Sequence, residues 1–377
     1  MLAVVGTRPE AIKLAPVIRR LREDACFSVE ICATGQHREL LDQALEHFEL
    51  EPDHDLAVMV ENQSLAKLTA RTIDGMAGLL RKTAPQIVIV QGDTTSAMTA
   101  ALSAFYERIP VAHVEAGLRT KDKYSPFPEE INRRLIAGIA HWHFAPTTGA
   151  RDNLLREGVA PESIHVTGNT AIDALMWAVA HLGNHDEMLP AIVGDALDTR
   201  ALHGRRVVLV TAHRRENHER GIGDICDALL SISALPGAII VFPVHYNPNV
   251  RKIVVSRLGG KENVHLLDPV GYGSFTRLLS RAFLVLTDSG GVQEEAPSLG
   301  KPVLVMRDTT ERPEGITAGN AILVGTRTTE VREAVEKLWE DDGARARMAR
   351  VANPYGDGKA AERIFSVIRD HCAASFD

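Results

Sequence analysis

The stretch that organises the chain reads Leu284-Val285-Leu286-Thr287-Asp288-Ser289-Gly290-Gly291-Val292-Gln293-Glu294-Glu295. It predicts a strand, a turn and a helix in succession. Ser289, Gly290 and Gly291 place small residues at the helix start, where backbone N–H groups and the helix dipole favour an anion such as phosphate. Glu295, about one helical turn further on, could accept hydrogen bonds from a ribose diol. A glycine pair after a strand is also consistent with a tight turn alone, so the rest of the chain must decide.

The length and composition indicate two globular domains. A chain of 377 residues is longer than one hydrophobic core usually supports. Its 45% hydrophobic and 24% charged residues are typical of globular proteins, and the net charge of -7 argues against nucleic-acid binding. We therefore expect a cleft between two domains, with any cationic site confined to a small region.

Several classes of protein are disfavoured by the sequence. No apolar run approaches the ~20 residues of a membrane-spanning helix, and Met1 leads into apolar residues without a charged leader. Cys26, Cys32, Cys226 and Cys372 form no C-x-x-C pair, so neither a disulfide framework nor a thiolate metal site is indicated. We expect a cytoplasmic protein without membrane contact, in which the cysteines are buried as small apolar residues.

Short apolar or β-branched runs, separated by segments of helical length, predict buried parallel strands in both halves of the chain. In the first half these runs are Leu2 to Gly6, Ser28 to Ala33, Ile87 to Gln91, Val111 to Val114, His143 to Ala145 and Ile164 to Val166. In the second half they are Val207 to Thr211, Ile239 to Pro243, Val264 to Leu267, Leu284 to Thr287, Val303 to Met306 and Ile322 to Val324. The pattern predicts an α/β protein with two doubly wound sheets.

The domain boundary is predicted near residue 169. The segment 184–204 lacks a clear apolar period and is expected to join or decorate the second sheet. Ala361, Ile364, Phe365 and Ile368 have helical spacing, which predicts an amphipathic C-terminal helix that returns to the first domain. The first domain is thus predicted to comprise residues 1–169 with 358–377, and the second domain residues 170–357.

Cationic side chains follow the first predicted strand. Ligands of open parallel sheets bind at the carboxyl ends of the strands, and Arg8 lies at such an end, with Lys13 one helical turn beyond it. Pairing of both cations with Glu10 or with surface carboxylates is the structural alternative. Their position after a strand favours a binding role.

Three carboxylates of the first domain are candidate acid–base residues. Asp93 follows a strand and either caps the next helix or faces the cleft. Glu115 also follows a strand, and a glutamate is a poor helix cap, so a role in the site is favoured. Glu129 and Arg133 lie one turn apart on one helix face, a pattern that also suits an exposed salt bridge.

The second domain repeats the arrangement with histidine and arginine. His213 follows the strand that ends at Thr211, and His245 follows the candidate strand next to it. Arg312 follows a further strand and adds a cation to the same edge. The chain has 15 histidines but no H-E-x-x-H or similar ligand spacing, so no metal centre is indicated.

Taken together, the motifs at these strand ends resemble those of the non-hydrolysing bacterial UDP-N-acetylglucosamine 2-epimerases nearly from end to end. The motifs are Gly6-Thr7-Arg8-Pro9-Glu10-Ala11-Ile12-Lys13, Gln91-Gly92-Asp93-Thr94-Thr95, His113-Val114-Glu115-Ala116-Gly117-Leu118-Arg119, Pro128-Glu129-Glu130-Ile131-Asn132-Arg133, Thr211-Ala212-His213-Arg214-Arg215-Glu216, Thr287 to Glu295, Gly300-Lys301-Pro302-Val303, Thr309-Thr310-Glu311-Arg312-Pro313-Glu314 and Asn353-Pro354-Tyr355-Gly356-Asp357-Gly358.

The resemblance implies a fold and a reaction. The fold would be the glycosyltransferase B fold, with two Rossmann-like domains, an active-site cleft between them and a C-terminal helix that crosses back. The reaction would be reversible epimerisation at C2 of UDP-GlcNAc to UDP-ManNAc, by elimination of UDP to 2-acetamidoglucal and re-addition. It would supply ManNAc units for cell-surface polysaccharides.

The resemblance also assigns roles to residues. Asp93, Glu115 and Glu129 would carry protons on the two faces of C2, and the sequence leaves open which carboxylate serves which face. His213 would assist departure of UDP. The nucleotide sugar would be bound by Arg8, Lys13, Arg133, His245, Phe275, Ser289, Gly290, Gly291, Glu295 and Arg312.

Many family members also carry a second UDP-GlcNAc site, which would involve Gln36, His37, Gln63 and Arg214 here. Asn62 stands where the family has an arginine. Because the guanidinium is a permanent cation that contacts phosphate through two hydrogen bonds, we expect activation by UDP-GlcNAc to be weak or absent unless another basic residue substitutes.

We expect no cofactor, because the first βα turn reads G-T-R-P in place of G-x-G-x-x-G. A C2 homodimer is expected from the family. The alternatives are a glycosyltransferase of the same fold, a hydrolysing epimerase that releases free ManNAc and UDP, an epimerase of uronic or diacetamido sugars, and a non-catalytic nucleotide-sugar sensor.

Overall fold

The computed structural model describes residues 1–35, 38–60, 63–120, 122–182, 204–214 and 221–374. The chain forms two compact units, one comprising Met1–Trp177 with Tyr355–Asp377 and the other comprising Ala178–Pro354. The division after Trp177 lies eight residues beyond the expected position near 169, inside a helix. The start of that helix is held in the first unit, since Asp173 accepts a hydrogen bond from the Ala361 N–H at 2.8 Å.

Unit 1 contains a parallel sheet of seven strands in the order β3-β2-β1-β4-β5-β6-β7. Its strands are β1 Leu2–Val5, β2 Glu30–Ala33, β3 His54–Asp55, β4 Val88–Gln91, β5 Val111–Val114, β6 Trp142–Ala145 and β7 Ile164–Val166. Its helices are α1 Arg8–Arg22, α2 Arg38–His47, α3 Leu65–Thr83, α4 Thr95–Tyr106, α5 Glu129–Ala137, α6 Thr148–Arg156 and the first part of α7 Thr170–His181, with a 3₁₀ turn at Pro161–Ser163.

Unit 2 contains a parallel sheet of six strands in the order β10-β9-β8-β11-β12-β13. Its strands are β8 Arg206–Thr211, β9 Ala238–Pro243, β10 Val264–Leu267, β11 Leu284–Thr287, β12 Val303–Val305 and β13 Ala321–Leu323. Its helices are α8 Gly221–Ser233, α9 Pro248–Leu258, α10 Tyr272–Arg281, α11 Gly290–Glu295, α12 Pro313–Ala318, α13 Thr328–Glu340 and α14 Asp342–Ala349, with a 3₁₀ turn at Ala296–Leu299.

The chain ends in helix α15, Ala360–Ala374, which packs against α1 within unit 1. Ile364, Phe365 and Ile368 are buried, in agreement with the apolar period of the sequence. Arg20 on α1 lies over the Phe365 ring, 3.6 Å from its centroid, and forms an ion pair with Glu362. The last element of the chain therefore completes the core of the unit that the first element begins.

Both sheets reverse their strand order next to the first strand of the unit. In unit 1 the reversal lies between β1 and β4, where Leu2 pairs with Val88. In unit 2 it lies between β8 and β11, where Leu284 pairs with Val208. The loops at the carboxyl ends of these four strands diverge to opposite sides, and such switch points are where doubly wound sheets bind ligands.

All predicted strands are present, with ends shifted by at most two residues. Strand β3 was not predicted, because its residues His54 and Asp55 are polar and it contributes only an edge of the sheet. The strands are buried because apolar residues face both helical layers, and Leu2, Val4, Val208 and Leu286 are fully inaccessible.

Two further expectations have mixed outcomes. Cys32 and Cys226 are buried as expected. The expectation is wrong for Cys26, which is exposed in the turn after α1, and for Cys372, which is only partly buried. The predicted irregular segment 184–204 lies outside the described residues apart from Gly204. Among the residues that the structure describes, no helix is long and apolar enough to cross a membrane.

Candidate active site

Arg8 and Asp93 follow the two strands at the switch point of unit 1. Arg8 opens α1, with Pro9 behind it in the first turn, where a missing N–H carries no penalty. Asp93 follows β4 and forms an ion pair with Arg133 of α5. The capping interpretation of Asp93 is wrong, because the cap of α4 is Thr94, whose hydroxyl accepts from the Ala97 N–H at 3.0 Å.

Glu115 lies at the end of β5 and forms an ion pair with Lys13 of α1. It also accepts a hydrogen bond from the Gln91 side chain at 3.0 Å. Its φ of 64° lies in the left-handed region, which is costly for a residue with a β-carbon. Strained backbone at a polar strand end is typical of functional sites, because the surrounding fold must hold it in place.

Glu129 begins α5, and its Oε2 atom is buried without a hydrogen-bond partner among the described residues. The expected pairing of Glu129 with Arg133 along one helix face is not observed. Arg133 contacts Asp93 and, at 3.3 Å, Glu130, which is fully buried and also binds Arg134 at 2.7 Å. Because native proteins seldom bury an unsatisfied oxygen, Glu129 Oε2 is positioned to meet a ligand.

Glu10 differs from the expected surface partner of Arg8 and Lys13. It is buried and accepts hydrogen bonds from the Thr7 hydroxyl at 2.7 Å and the Thr94 hydroxyl at 2.6 Å. Burial raises its pKa to about 7, against the opposing effect of these hydrogen bonds. Sequence reasoning missed this residue because a glutamate in the first turn of a helix is ordinarily exposed.

Two buried histidines lie side by side on neighbouring strands of the same sheet. His113 of β5 pairs in register with His143 of β6. Burial lowers the pKa of His113 to about 3 and that of His143 to about 4, so both are neutral at physiological pH. His113 donates from Nε2 to the carbonyl of Gly92 at 2.8 Å, which fixes its tautomer.

In unit 2, His213 is held by Asp288, a residue to which the sequence assigned no role. Asp288 is fully buried, and its Oδ1 atom lies 3.2 Å from Nδ1 of His213. The carboxylate also accepts the backbone N–H groups of His213, at 2.9 Å, and Arg214, at 2.8 Å. Asp288 could have been predicted from the sequence, because it is a carboxylate directly after β11, and β8 and β11 are the strands at the switch point.

This arrangement orients the imidazole. Nδ1 is directed at the carboxylate, and the side chain is 39% exposed. His245, after β9, stacks against it with ring centroids 6.1 Å apart and planes inclined by 25°. The two histidines that the sequence selected are therefore adjacent.

The Ser289-Gly290-Gly291 turn opens α11, as the sequence predicted. A β-carbon on Gly290 would lie 2.8 Å from the guanidinium carbon of Arg312, so any larger residue would displace that side chain. Gly291 is exposed and has open space around its Cα. The turn thus combines accessible backbone N–H groups with an adjacent guanidinium.

Arg312 belongs to a cluster of charges around Glu311. Its Nε donates to the buried Glu294 at 2.8 Å, and its Nη1 lies 3.1 Å from Glu311. Arg214 and Arg307 each approach Glu311 at 3.5 Å. Burial opposes ionisation of Glu311, yet the three guanidiniums lower its pKa. The cluster brings three guanidiniums together around Glu311 in a protein with a net charge of -7.

The remaining nucleotide-binding candidates occupy neighbouring elements. Glu295 ends α11 and lies 3.5 Å from the hydroxyl of Tyr272 on α10. Burial, together with the charge of Glu295, raises the pKa of Tyr272, which therefore stays a neutral donor. Phe275, one turn further along α10, is half-buried.

The candidates for a second nucleotide site are only partly described. Gln36, His37 and Asn62 lie outside the described residues. Gln63 accepts from Arg71 at 3.2 Å, and Arg214 pairs with Glu311 as above. No group of three or more His, Cys, Asp or Glu side chains suited to a metal ion occurs in the described part of the chain.

Comparison with known proteins identifies close relatives of this chain. A family model for UDP-N-acetylglucosamine 2-epimerase matches residues 19–369. The UDP-N-acetylglucosamine 2-epimerases of Yersinia pestis and Escherichia coli (strain K12) are each 49% identical over 374 residues, covering 98% of this chain and 98% of the relative.

Solved structures agree in fold over nearly the whole chain. The UDP-GlcNAc 2-epimerase of Neisseria meningitidis bound to UDP-GlcNAc has 46% identity and a TM-score of 0.89, covering 98% of this chain and 99% of that chain. A structure described as a UDP-N-acetylglucosamine 2-epimerase from Listeria monocytogenes has 44% identity and a TM-score of 0.91, covering 99% and 96%. They confirm the predicted α/β class with two Rossmann-like parallel-sheet domains of the glycosyltransferase B type.

Proposed function

Because this chain belongs to the UDP-N-acetylglucosamine 2-epimerase family, we propose that it interconverts UDP-GlcNAc and UDP-ManNAc through 2-acetamidoglucal. The observation that carries the mechanism is the division of chemistry between the two switch points. Unit 1 carries Asp93, Glu115 and Glu129, whereas unit 2 carries a histidine–aspartate pair and the glycine turn that opens α11.

The proton steps are assigned to the carboxylates of unit 1. In elimination, one carboxylate removes the proton from C2 while the C1–O bond breaks and UDP departs with the bonding electron pair. In re-addition, a second acid protonates C2 from the opposite face and UDP reattacks C1. Glu129 is favoured as one of the two groups, because its buried Oε2 has no partner among the described residues.

Lys13 and Arg133 have positioning roles in this scheme. Each pairs with a carboxylate that proton transfer needs, Glu115 and Asp93 respectively. A fixed salt bridge limits the rotamers of both side chains, so the reacting oxygen is held in one place. Arg8, which is half-exposed at the start of α1, is assigned to the nucleotide sugar.

The leaving group is assigned to unit 2. The diphosphate accepts hydrogen bonds from the Ser289-Gly290-Gly291 turn and charge from Arg312, which offsets the negative charge that develops as the C1–O bond breaks. His213, oriented by Asp288, presents Nε2 to the departing phosphate oxygen. Glu295 and Phe275 are assigned to the ribose and the uracil.

Incubation with UDP-GlcNAc in D₂O, followed by product identification by NMR, tests the mechanism. Elimination exchanges the C2 hydrogen with an enzyme acid, so the product should carry deuterium at C2. Amide replacement of Asp93, Glu115 or Glu129 keeps shape but removes proton transfer, and should lower the rate by about 10²- to 10⁴-fold while UDP still binds. Product that retains its original hydrogen, or three amide variants with the parent rate, would contradict the scheme.

The same incubation separates the alternatives. Free UDP that accumulates with turnover would indicate a hydrolysing epimerase, and transfer of sugar to an added acceptor would indicate a glycosyltransferase. Lack of turnover with UDP-GlcNAc, but conversion of a uronic or diacetamido analogue, would redirect the assignment within the fold.

We also propose that the enzyme is a cytoplasmic homodimer. Support comes from the neighbouring helices α4 and α5, which leave Phe105, Tyr106 and Leu135 exposed. Large exposed apolar side chains on adjacent elements are typical of protein interfaces. Light scattering that reports a monomer at the concentration of the assay would overturn this proposal.

A further inference from the structure

Glu10 is a buried carboxylate that joins two turns at the switch point of unit 1. It is 1% exposed in the first turn of α1. Its Oε2 atom accepts from the Gly6 N–H at 3.1 Å and the Thr7 hydroxyl at 2.7 Å. Its Oε1 atom accepts from the Thr94 hydroxyl at 2.6 Å. One side chain therefore bridges the turn after β1 and the turn after β4.

The donors to Glu10 are all neutral. They are the backbone amides of Gly6 and Thr7 and two hydroxyls, and no cationic side chain of the described residues forms an ion pair with this carboxylate. Burying a carboxyl group without a cation is unfavourable, and an apolar side chain would pack at this position with less penalty. The unfavourable burial indicates that the hydrogen bonds of Glu10 have a specific role, which is to connect the turn after β1 with the turn after β4.

The bridge ends one residue from Asp93. The Thr94 hydroxyl accepts from the Ala97 N–H at 3.0 Å, so its single proton is directed to Glu10 and its rotamer is fixed from both sides. The Asp93 carbonyl accepts from the Asn132 side chain at 2.9 Å. Together with the bond from His113 to the preceding carbonyl, three elements hold three consecutive residues of this turn.

We infer that Glu10 is a positioning residue for proton transfer at C2, because through Thr94 it fixes the Asp93 carboxylate relative to the α1 turn that carries Arg8. The inference rests on the proposed function and adds a residue that does not touch the substrate. Misplacement of a reacting group by about 1 Å can lower a rate on the order of 10²-fold. Loss of the bridge should therefore lower kcat by about 10- to 100-fold.

Three substitutions test the bridge. Glu10→Gln replaces one acceptor by a donor, and Thr94→Val removes the hydroxyl, whereas Thr94→Ser keeps it and should restore the parent behaviour. The matched control is Thr99→Val, which removes another buried hydroxyl of α4 that bonds only to the carbonyls of Thr95, at 2.7 Å, and Ser96, at 3.1 Å. UDP affinity, measured by calorimetry, checks unit 2 of each variant, and hydrogen exchange of the α1 and α4 amides checks that unit 1 is folded.

The decisive measurement is an isotope ratio at low conversion in D₂O. Deuterium at C2 of recovered UDP-GlcNAc is compared with deuterium at C2 of newly formed UDP-ManNAc. Both labels arise from the same glucal intermediate, so their ratio does not depend on how much enzyme is folded. Moving one proton carrier and not the other changes this ratio, which a merely structural role of Glu10 would leave unchanged.

We expect Glu10→Gln and Thr94→Val to lower kcat and shift the ratio, with UDP affinity close to that of the parent, while Thr99→Val matches the parent in all three. Parent-like turnover, or slower turnover with an unshifted ratio, would overturn the role of Glu10 alone. A parent enzyme that places no deuterium at C2 would overturn the elimination mechanism itself.

Discussion

Asp288 shows how a single buried side chain prepares a reacting one. Its two oxygens accept two backbone N–H groups and approach the imidazole of His213, so removal of the charge affects both the loop and the ring. A carboxylate that contacts one ring nitrogen of a histidine fixes the tautomer and the orientation of the ring.

We predict that Asp288→Asn lowers kcat at least about 10-fold, because a neutral amide no longer fixes the tautomer and orientation of the His213 ring through Nδ1. The measurement is a double-mutant cycle with His213→Asn, a variant that should itself slow C2 exchange if C–O cleavage comes first. In the His213→Asn background the second substitution should have little further effect on kcat. Losses that simply multiply would show that Asp288 acts independently of the imidazole.

Glu10 also predicts a dependence of stability on pH. Its pKa is raised from 4.5 to about 7, so the folded state holds the proton more tightly than the unfolded state. The stabilising contribution is fully present below pH 4.5 and is lost as the pH rises through about 7. Relative to Glu10→Gln, the parent should lose roughly 3 kcal/mol of unfolding free energy over this window.

Denaturant titration of both proteins at several pH values measures this difference. His113 and His143, whose lowered pKa values make the protein less stable as the pH falls below 6.5, are present in both proteins and cancel. A difference between parent and variant that is constant from pH 4.5 to 8 would contradict the prediction.

At the scale of the element, two glycines illustrate opposite constraints. Gly117 follows Glu115 in the turn after β5, with φ of 89°, and a β-carbon there would lie 2.3 Å from the Ala150 carbonyl oxygen of α6. Gly78 lies on the exposed face of α3 with no atom within 4 Å of an added β-carbon. The turn after β5 needs glycine at position 117, whereas α3 tolerates glycine at position 78 at an entropic cost.

We predict that Gly117→Ala destabilises the protein by more than about 2 kcal/mol, because both the backbone conformation and the space are unfavourable. Gly78→Ala should stabilise it by about 0.5–1 kcal/mol, since alanine restricts the unfolded chain and fits the helix. Urea denaturation of the two variants measures both changes. Equal changes in unfolding free energy for the two variants would mean that the Ala150 carbonyl oxygen of α6 does not exclude a β-carbon at position 117.

At the scale of the molecule, the chain is not divided into two consecutive halves. Helix α15 follows unit 2 in sequence but buries Phe365 against unit 1, where Phe27 lies 5.9 Å away in an edge-to-face arrangement. Unit 1 therefore cannot complete its core until the whole chain has been made.

We predict that Phe365→Ala destabilises unit 1 by about 3–5 kcal/mol, the usual effect of removing a fully buried aromatic ring. Hydrogen exchange of α1 and α15 amides should accelerate, while UDP affinity, assigned to unit 2, should change little. Asp370→Ala, an exposed change on the same helix, is the control and should stay within about 0.5 kcal/mol of the parent. Unchanged exchange in α1 would show that α15 does not stabilise unit 1.

The sequence alone determined the class of fold and the edge of each sheet where chemistry would lie. Runs of β-branched and apolar residues specify buried parallel strands locally, and polar residues at their carboxyl ends must share one edge. Arg8, Asp93, Glu115, His213 and the Ser289 turn were selected as candidates in this way. Such patterns can be recognised in the sequence because each depends on only a few consecutive residues.

Only the tertiary structure decided which side chains are partners. Lys13 and Glu115 are 102 residues apart, and His213 and Asp288 are 75 apart, so their contacts depend on strand order and register. The buried oxygen of Glu129 and the neutral donors around Glu10 emerge only when every neighbouring donor is accounted for. Hydrogen-bond satisfaction and burial are properties of the folded surroundings, which local sequence does not contain.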